Sequence, residues 1–153
     1  MKRIMKMLLV LCMTLFMSSQ VICEENDKWV RDKWVELEYL TNTRQYDKWV
    51  ECLSVDYRSF IESKKCLEEA EIRLEQATGL HTKITTPQQY FYYVVCFARM
   101  DGIMLYVDSE ILNDSTIYVH YRQKYTTREY GCYLVLENED WKFDLRGDGS
   151  NER

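Results

Sequence analysis

The 153-residue chain reads as an α+β domain: N-terminal helices packed in a curved antiparallel sheet. Three observations predict this. Apolar residues in the front half recur at helical spacing. The back half is dense in β-branched and aromatic residues. The links between its apolar runs are short, which favours hairpins over βαβ crossovers.

The first helix is predicted over 26–44. Val30, Trp34, Leu37 and Thr41 recur at i, i+4, i+7 and i+11, and Glu36 and Glu38 fall off that face. "NTRQ" at 42–45 breaks the pattern. A short second helix follows, with Asp47 as its cap and Trp49, Val50 and Leu53 as its apolar face. The tetrapeptide DKWV occurs at 27–30, 32–35 and 47–50. Trp29 and Trp34 stand about 140° apart on one helix, and Trp49 belongs to the next, so the copies are not equivalent repeat positions.

"VDYRSFI" at 55–61 alternates and predicts a strand. Ser63 then caps a third helix over 64–78, with Leu67, Ala70, Leu74 and Ala77 on one face and Gly79 at its C′ position. Everything after Leu80 reads as β: "KITT", "QYFYYVVCFARM", "IMLYVDSEIL", "STIYVHYRQKY" and "EYGCYLVLENEDWKFDL". Three helices followed by a meander of long strands gives the predicted class.

The N-terminal stretch "MKRIMKMLLVLCMTLFMSSQVIC" has the form of a signal peptide. Lys2, Arg3 and Lys6 form its basic start, and the apolar run from Met7 to Met17 is too short to span a bilayer. Cleavage is expected after Cys23, or after Ser19. Ile22 disfavours bacterial lipidation of Cys23. The expected organisation is a signal peptide over 1–23, one domain over 24–145 and a flexible tail over 146–153, with secretion to an extracellular or periplasmic space. Removing the signal peptide takes the formal charge from −5 to −8. So acidic a domain is a poor partner for nucleic acid or anionic membranes, and no stable membrane span is expected.

Cys52, Cys66, Cys96 and Cys132 remain after cleavage. In an oxidising compartment they permit two disulfides. Cys52–Cys66 is the preferred bridge because both flank one short predicted strand. Buried free thiols are the alternative. A metal site is not expected, because no Cys pair has C-x-x-C spacing and His81 and His120 are isolated.

Two segments carry a family resemblance. "LTNTRQYDKWVECLSVDYRSF" at 40–60 resembles the opening of nuclear transport factor 2-like domains, a long helix, a short helix and a Leu-Ser-x-Asp-Tyr step. "YGCYLVLENEDWKFDL" at 130–145 resembles that family's last hairpin. Order and spacing agree over about residues 26–145. The resemblance implies a cone, a bent antiparallel sheet around helices with a pocket at the open end. Family members include SnoaL-like cyclases, isomerase-like and dehydratase enzymes, transport factors and secreted domains of no known reaction. No family catalytic motif transfers residue by residue onto this chain.

The expected function is therefore a secreted, non-enzymatic domain that binds a small apolar ligand or a protein partner, without cofactor. Tyr93, Tyr106, Tyr118 and Trp34 are the candidate ligand-binding residues, since a tyrosine-rich sheet offers apolar walls with hydroxyl handles. A homodimer through the sheet face is a further expectation. The alternative is a small isomerase, dehydratase or cyclase with His120 or Asp108 as its base. Strand alternation places Tyr118 and His120 on one face, and Met104, Tyr106 and Asp108 together on one face of the preceding strand. A third alternative is integrin-type adhesion through Arg146-Gly147-Asp148. Asn113-Asp114-Ser115 fits the N-glycosylation sequon.

Overall fold

The computed structural model describes residues 27–100 and 102–146. The predicted signal peptide, and all of the predicted tail except Arg146, lie outside these residues.

Helix α1 covers the described residues 27–42. Its predicted face is buried, with Val30, Trp34, Leu37 and Thr41 each 1% exposed. Thr41 is tolerated there because its hydroxyl donates back to the Leu37 carbonyl (2.9 Å). The helix ends in a Schellman motif, with Gln45 N–H donating to Leu40 O (2.9 Å) and Arg44 N–H to Thr41 O (3.1 Å). Arg44 takes the left-handed C′ position (φ 57°), where glycine is the unstrained choice. Helix α2 (Tyr46–Glu51) buries Trp49. Its cap is Gln45; Asp47 lies within the first turn.

The predicted strand at 55–61 is helix α3 (Val55–Glu62). Its two buried residues, Tyr57 and Ile61, stand at i and i+4. That spacing satisfies both a period of two and a helical turn. Val55 and Ser59, which a strand would bury beside them, are exposed. Ser54 decides the outcome as N-cap, accepting from Tyr57 N–H (3.0 Å). Helix α4 (Lys64–Thr78) follows the expected bounds, with the Ser63 cap and left-handed Gly79 (φ 72°). Ala77 is exposed rather than part of the buried face.

The largest departure is at 80–100. Residues 80–85 form no strand, although Ile84 is buried against Leu67, Ala70 and Leu74. "QYFYYVVCFARM" is helical, built from α5 (Pro87–Tyr90), a π-turn (Phe91–Val95) and α6 (Cys96–Met100). Aromatic and β-branched propensity is weak against a well-formed helix start. Thr86 caps that start by accepting from Gln89 N–H (3.2 Å), and Pro87 takes a first-turn position.

The sheet is the predicted antiparallel meander, ordered β1 (Met104–Asn113), β2 (Thr116–Gln123), β3 (Glu129–Glu137) and β4 (Asp140–Asp144). Leu53 adds a parallel bridge to Phe143 at the β4 edge. The helices pack on one face, giving the predicted α+β class. Trp34 stacks on Tyr121 (4.5 Å) and meets Phe143 edge-on (6.0 Å). Val119, Cys132 and Leu134 complete that inner face, each fully buried.

Glu38, expected off the buried face, is 5% exposed. Arg99 of α6 reaches it through Nε (2.9 and 3.2 Å) and the terminal nitrogen (2.8 Å). Met104 N–H also donates to Glu38 (3.3 Å), while the Trp34 indole donates to Met104 O (3.2 Å). One turn of α1 thus holds both backbone groups of the residue that opens β1. Burial pushes the Glu38 carboxyl above its ordinary range, against the opposing pull of Arg99 and the Met104 N–H. The folded protein therefore keeps a proton over a pH window in which the unfolded chain has lost it, and this group's contribution to stability falls as pH rises through that window.

All four candidate disulfide cysteines are free, so the Cys52–Cys66 bridge is not formed. The segment between them is helix rather than strand. Eight helical residues extend about 12 Å, whereas bridged Cα atoms lie within about 7 Å. Cys66, Cys96 and Cys132 are buried and Cys52 half-buried. Burial pushes each thiol up, Cys132 furthest.

Arg99→Ala is expected to lower the urea-unfolding free energy by about 3–5 kcal/mol, since it strands a buried carboxylate. The double change Glu38→Leu/Arg99→Met should cost clearly less than the sum of its singles. In denaturant without reductant, Cys52, Cys66, Cys96 and Cys132 should all react with a thiol reagent. In the native state Cys52 should be labelled first and Cys132 last, as read by mass spectrometry of the labelled peptides.

Candidate functional site

A half-open cleft of about 590 Å³ lies beside α4 and the α5–α6 run. That size suits a small organic ligand. The end of α4 supplies Leu74 and Thr78, and the chain beyond Gly79 supplies Leu80 and Thr82. The opposite wall is Gln88 and Gln89, then Tyr92 and Tyr93 of the π-turn, then Phe97 and Met100 of α6. Arg44, at the end of α1, completes the lining.

The π-turn shapes this wall. It directs Phe91 and Val95 into the core. Between them Tyr92 and Tyr93 stand out, 38% and 44% exposed, with Leu80 (64%) and Met100 (71%) nearby. Exposed large apolar side chains gathered at a concave surface mark a binding site more often than scattered ones do. Gln89 is oriented by its carbonyl oxygen, which accepts from Thr85 N–H (2.8 Å) and Oγ1 (3.0 Å). Its amide nitrogen, a donor, has no acceptor among the described residues. Among the described residues Arg44 is the only charged one in the lining, and no carboxylate lines it. Among the described residues no Asp or Glu lies within ion-pair distance of the Arg44 guanidinium.

Of the sequence-predicted residues, Tyr93 alone lines this cleft. Trp34 is in the core, with its indole N–H engaged by Met104 O. Tyr106 faces the helices. Its hydroxyl donates to the Asp27 carboxylate, and Arg31 lies over its ring at 5.4 Å. Burial, with that hydrogen bond, raises the Tyr106 hydroxyl well above the ordinary tyrosine range.

Tyr118, His120 and Asp108 lie together on the outer face of the sheet. Simple alternation placed Asp108 with Tyr106; a bulge at Val107 separates them. Tyr106 pairs with Tyr121 and the next paired residue, Asp108, with His120. The extra residue turns Asp108 to the other side. His120 Nε2 is 3.8 Å from Asp108 Oδ1, beyond hydrogen-bond distance, and the Asp108 side chain is 67% exposed. Tyr118 packs edge-on against His120 (4.7 Å) and Tyr133 (5.0 Å). Its hydroxyl lies over Gly131, where a Cβ would stand 1.8 Å from the oxygen. Glycine at 131 thus makes room for that ring. None of these three residues lines the cleft.

Asn113 ends β1, just before the β1–β2 turn, and its side-chain oxygen accepts from Ser115 N–H (2.9 Å) and Oγ (3.0 Å). Arg146 is tied to Asp144 through its backbone N–H (3.1 Å) and guanidinium, and approaches Asp56 (3.7 Å). Gly147 and Asp148 of the tripeptide lie outside the described residues. Among the described residues no cluster of three or more His, Cys, Asp or Glu side chains forms a metal site, and no helix is long and apolar enough to cross a membrane.

The cleft residues Arg44, Leu80, Gln88, Gln89, Tyr92, Phe97 and Met100 are absent from the sequence-based candidates. One signal points to several of them. "TPQQ" at 86–89 is a cap-and-proline helix start, and a helix from Pro87 carries Gln88, Gln89, Tyr92, Tyr93, Phe97 and Met100.

Compared with known proteins, the chain matches no family model, no curated protein and no solved structure.

Proposed function

We propose that this chain is a secreted, non-catalytic binding domain that holds a small apolar ligand in the cleft between α4 and the α5–α6 run. The observation that carries this reading is the aromatic and aliphatic wall, Leu80, Tyr92, Tyr93, Phe97 and Met100, around a volume of about 590 Å³. Burying even half of such side chains yields on the order of 1 kcal/mol each. Four or five together give about 4–5 kcal/mol, which corresponds to a Kd of about 0.2–1 mM.

Binding is favoured over catalysis because the residue types suited to acid–base work are elsewhere. His120 and Asp108 sit on the outer sheet face, separated from the cleft by the sheet and core. Among the described residues the cleft lining holds neither His nor carboxylate. The four thiols have raised pKa values, which keeps them protonated and poorly nucleophilic. The nuclear transport factor 2-like relationship is part of this proposal. Its support is the order of elements, helices first and then an antiparallel meander, with the last strand meeting the Leu53 bridge. Secretion rests on the basic start and apolar run of the first 23 residues.

A neutral apolar dye such as Nile red should bind saturably with one site and a Kd of about 1 mM or tighter. Tyr93→Ser and Met100→Ser should each weaken it about fivefold or more without changing the unfolding midpoint by more than a few degrees. Non-saturable binding, or full affinity in both variants, would remove the cleft from consideration. Secretion is checked by the mass of the protein exported by its native host. Loss of residues 1–23 or 1–19 is expected, and a mass equal to the full chain would overturn it.

A further inference from the structure

We propose that the ligand of this cleft is an anionic amphiphile, its apolar body against Tyr92, Tyr93, Phe97 and Met100 and its carboxylate against the Arg44 guanidinium. The inference rests on the binding reading above and adds the ligand's charge.

Three observations carry it. Among the described residues Arg44 is the only charged one in the lining, and no acidic side chain lines the cleft with it. Its guanidinium has no carboxylate partner among the described residues, although the chain as a whole is acidic, with 25 Asp and Glu against 20 Lys and Arg. A lone cation at an apolar wall leaves the ligand to supply the negative charge. Guanidinium and carboxylate match in shape, each offering two parallel hydrogen-bonding atoms.

The backbone supplies the third. Arg44 is the left-handed C′ residue of α1, at φ 57°. Glycine satisfies that position without strain, and a side chain there costs stability. A strained residue whose side chain reaches a cleft is a pointer to function. Placing the cation on the C′ residue also fixes its base, because both Schellman hydrogen bonds hold Arg44 and its neighbour. Gln89 adds a neutral donor to the same cleft, its carbonyl oxygen being occupied by Thr85.

The net negative charge opposes anion entry only at long range. At physiological salt that repulsion is screened beyond about 8 Å. Selectivity is therefore local and falls with added salt.

Three ten-carbon probes of equal length separate the possibilities by titration calorimetry: decanoate, decanol and decylamine, all below their critical micelle concentrations. Decanoate should bind about fivefold or more tighter than decanol at pH 7.5, with decylamine the weakest. Arg44→Gly removes the cation and relieves the backbone, so the variant should melt at the same temperature or higher. Its decanoate-to-decanol preference should fall to about onefold, while Arg44→Lys should keep part of it. Equal affinity of the wild-type protein for decanoate and decanol overturns the anionic assignment and leaves the apolar cleft standing. An undiminished preference in Arg44→Gly overturns it as well, since the carboxylate then sits elsewhere. Failure of all three probes to bind takes the cleft reading down with it.

Discussion

The contact between Glu38 and Arg99 is the constraint on which the rest of the molecule depends. A charge on α1 is held by a charge on α6, and the same carboxylate accepts from the first residue of β1. Three segments distant in sequence are thereby set in one relation. The Trp34 indole, one turn earlier, fixes the carbonyl of that same β1 residue. Two ions this deeply placed stabilise the fold only because the geometry is bidentate and the remaining valences are used. Their arrangement is more specific than an apolar contact would be, since few relative positions of α1, α6 and β1 satisfy it. It also sets where α6 lies, and so where Phe97 and Met100 stand.

The helices α1 and α4 and the four-stranded meander were legible in the sequence. Each has a period that only one structure satisfies and an end signal to match, such as Ser63 and Gly79 around α4. Two segments were misread for physical reasons. In 55–61 the buried pair stands at i and i+4, which a strand and a helix share. In 87–100 the composition favours strand, and the outcome is set by the four residues at its start, Thr86 to Gln89. Glu38 was placed off the buried face because it stands outside the Val30, Trp34, Leu37 and Thr41 spacing. Its partner sits 61 positions along the chain, which no local pattern reveals.

The candidate site was less legible than the fold. Tyr93 was found because tyrosines were weighed as a class, and the same weighting selected Tyr106 and Tyr118, which serve the α1 contact and the outer sheet face. The bulge at Val107 has the sharpest effect on the placement of a candidate residue. A single unpaired residue moves Asp108 from the helix side to the solvent side, and alternation cannot detect it. Arg44 carried no sequence signal at all. Its interest comes from a backbone conformation and from the lack, among the described residues, of a carboxylate within ion-pair distance, both properties of the folded chain.

The π-turn at Phe91–Val95 has one more consequence. A π-turn holds one residue more than an α-helix needs to join the same ends. The flanks Tyr90 and Cys96 can therefore keep their faces whether or not that residue is present. Substitution alters the chemistry of the aromatic wall one side chain at a time. Insertion or deletion at this point alters its width, and the helix absorbs the change by relaxing between two hydrogen-bonding patterns. The cleft wall thus includes the stretch of the α5–α6 run where removing one residue would narrow the wall while leaving the faces of Tyr90 and Cys96 in place.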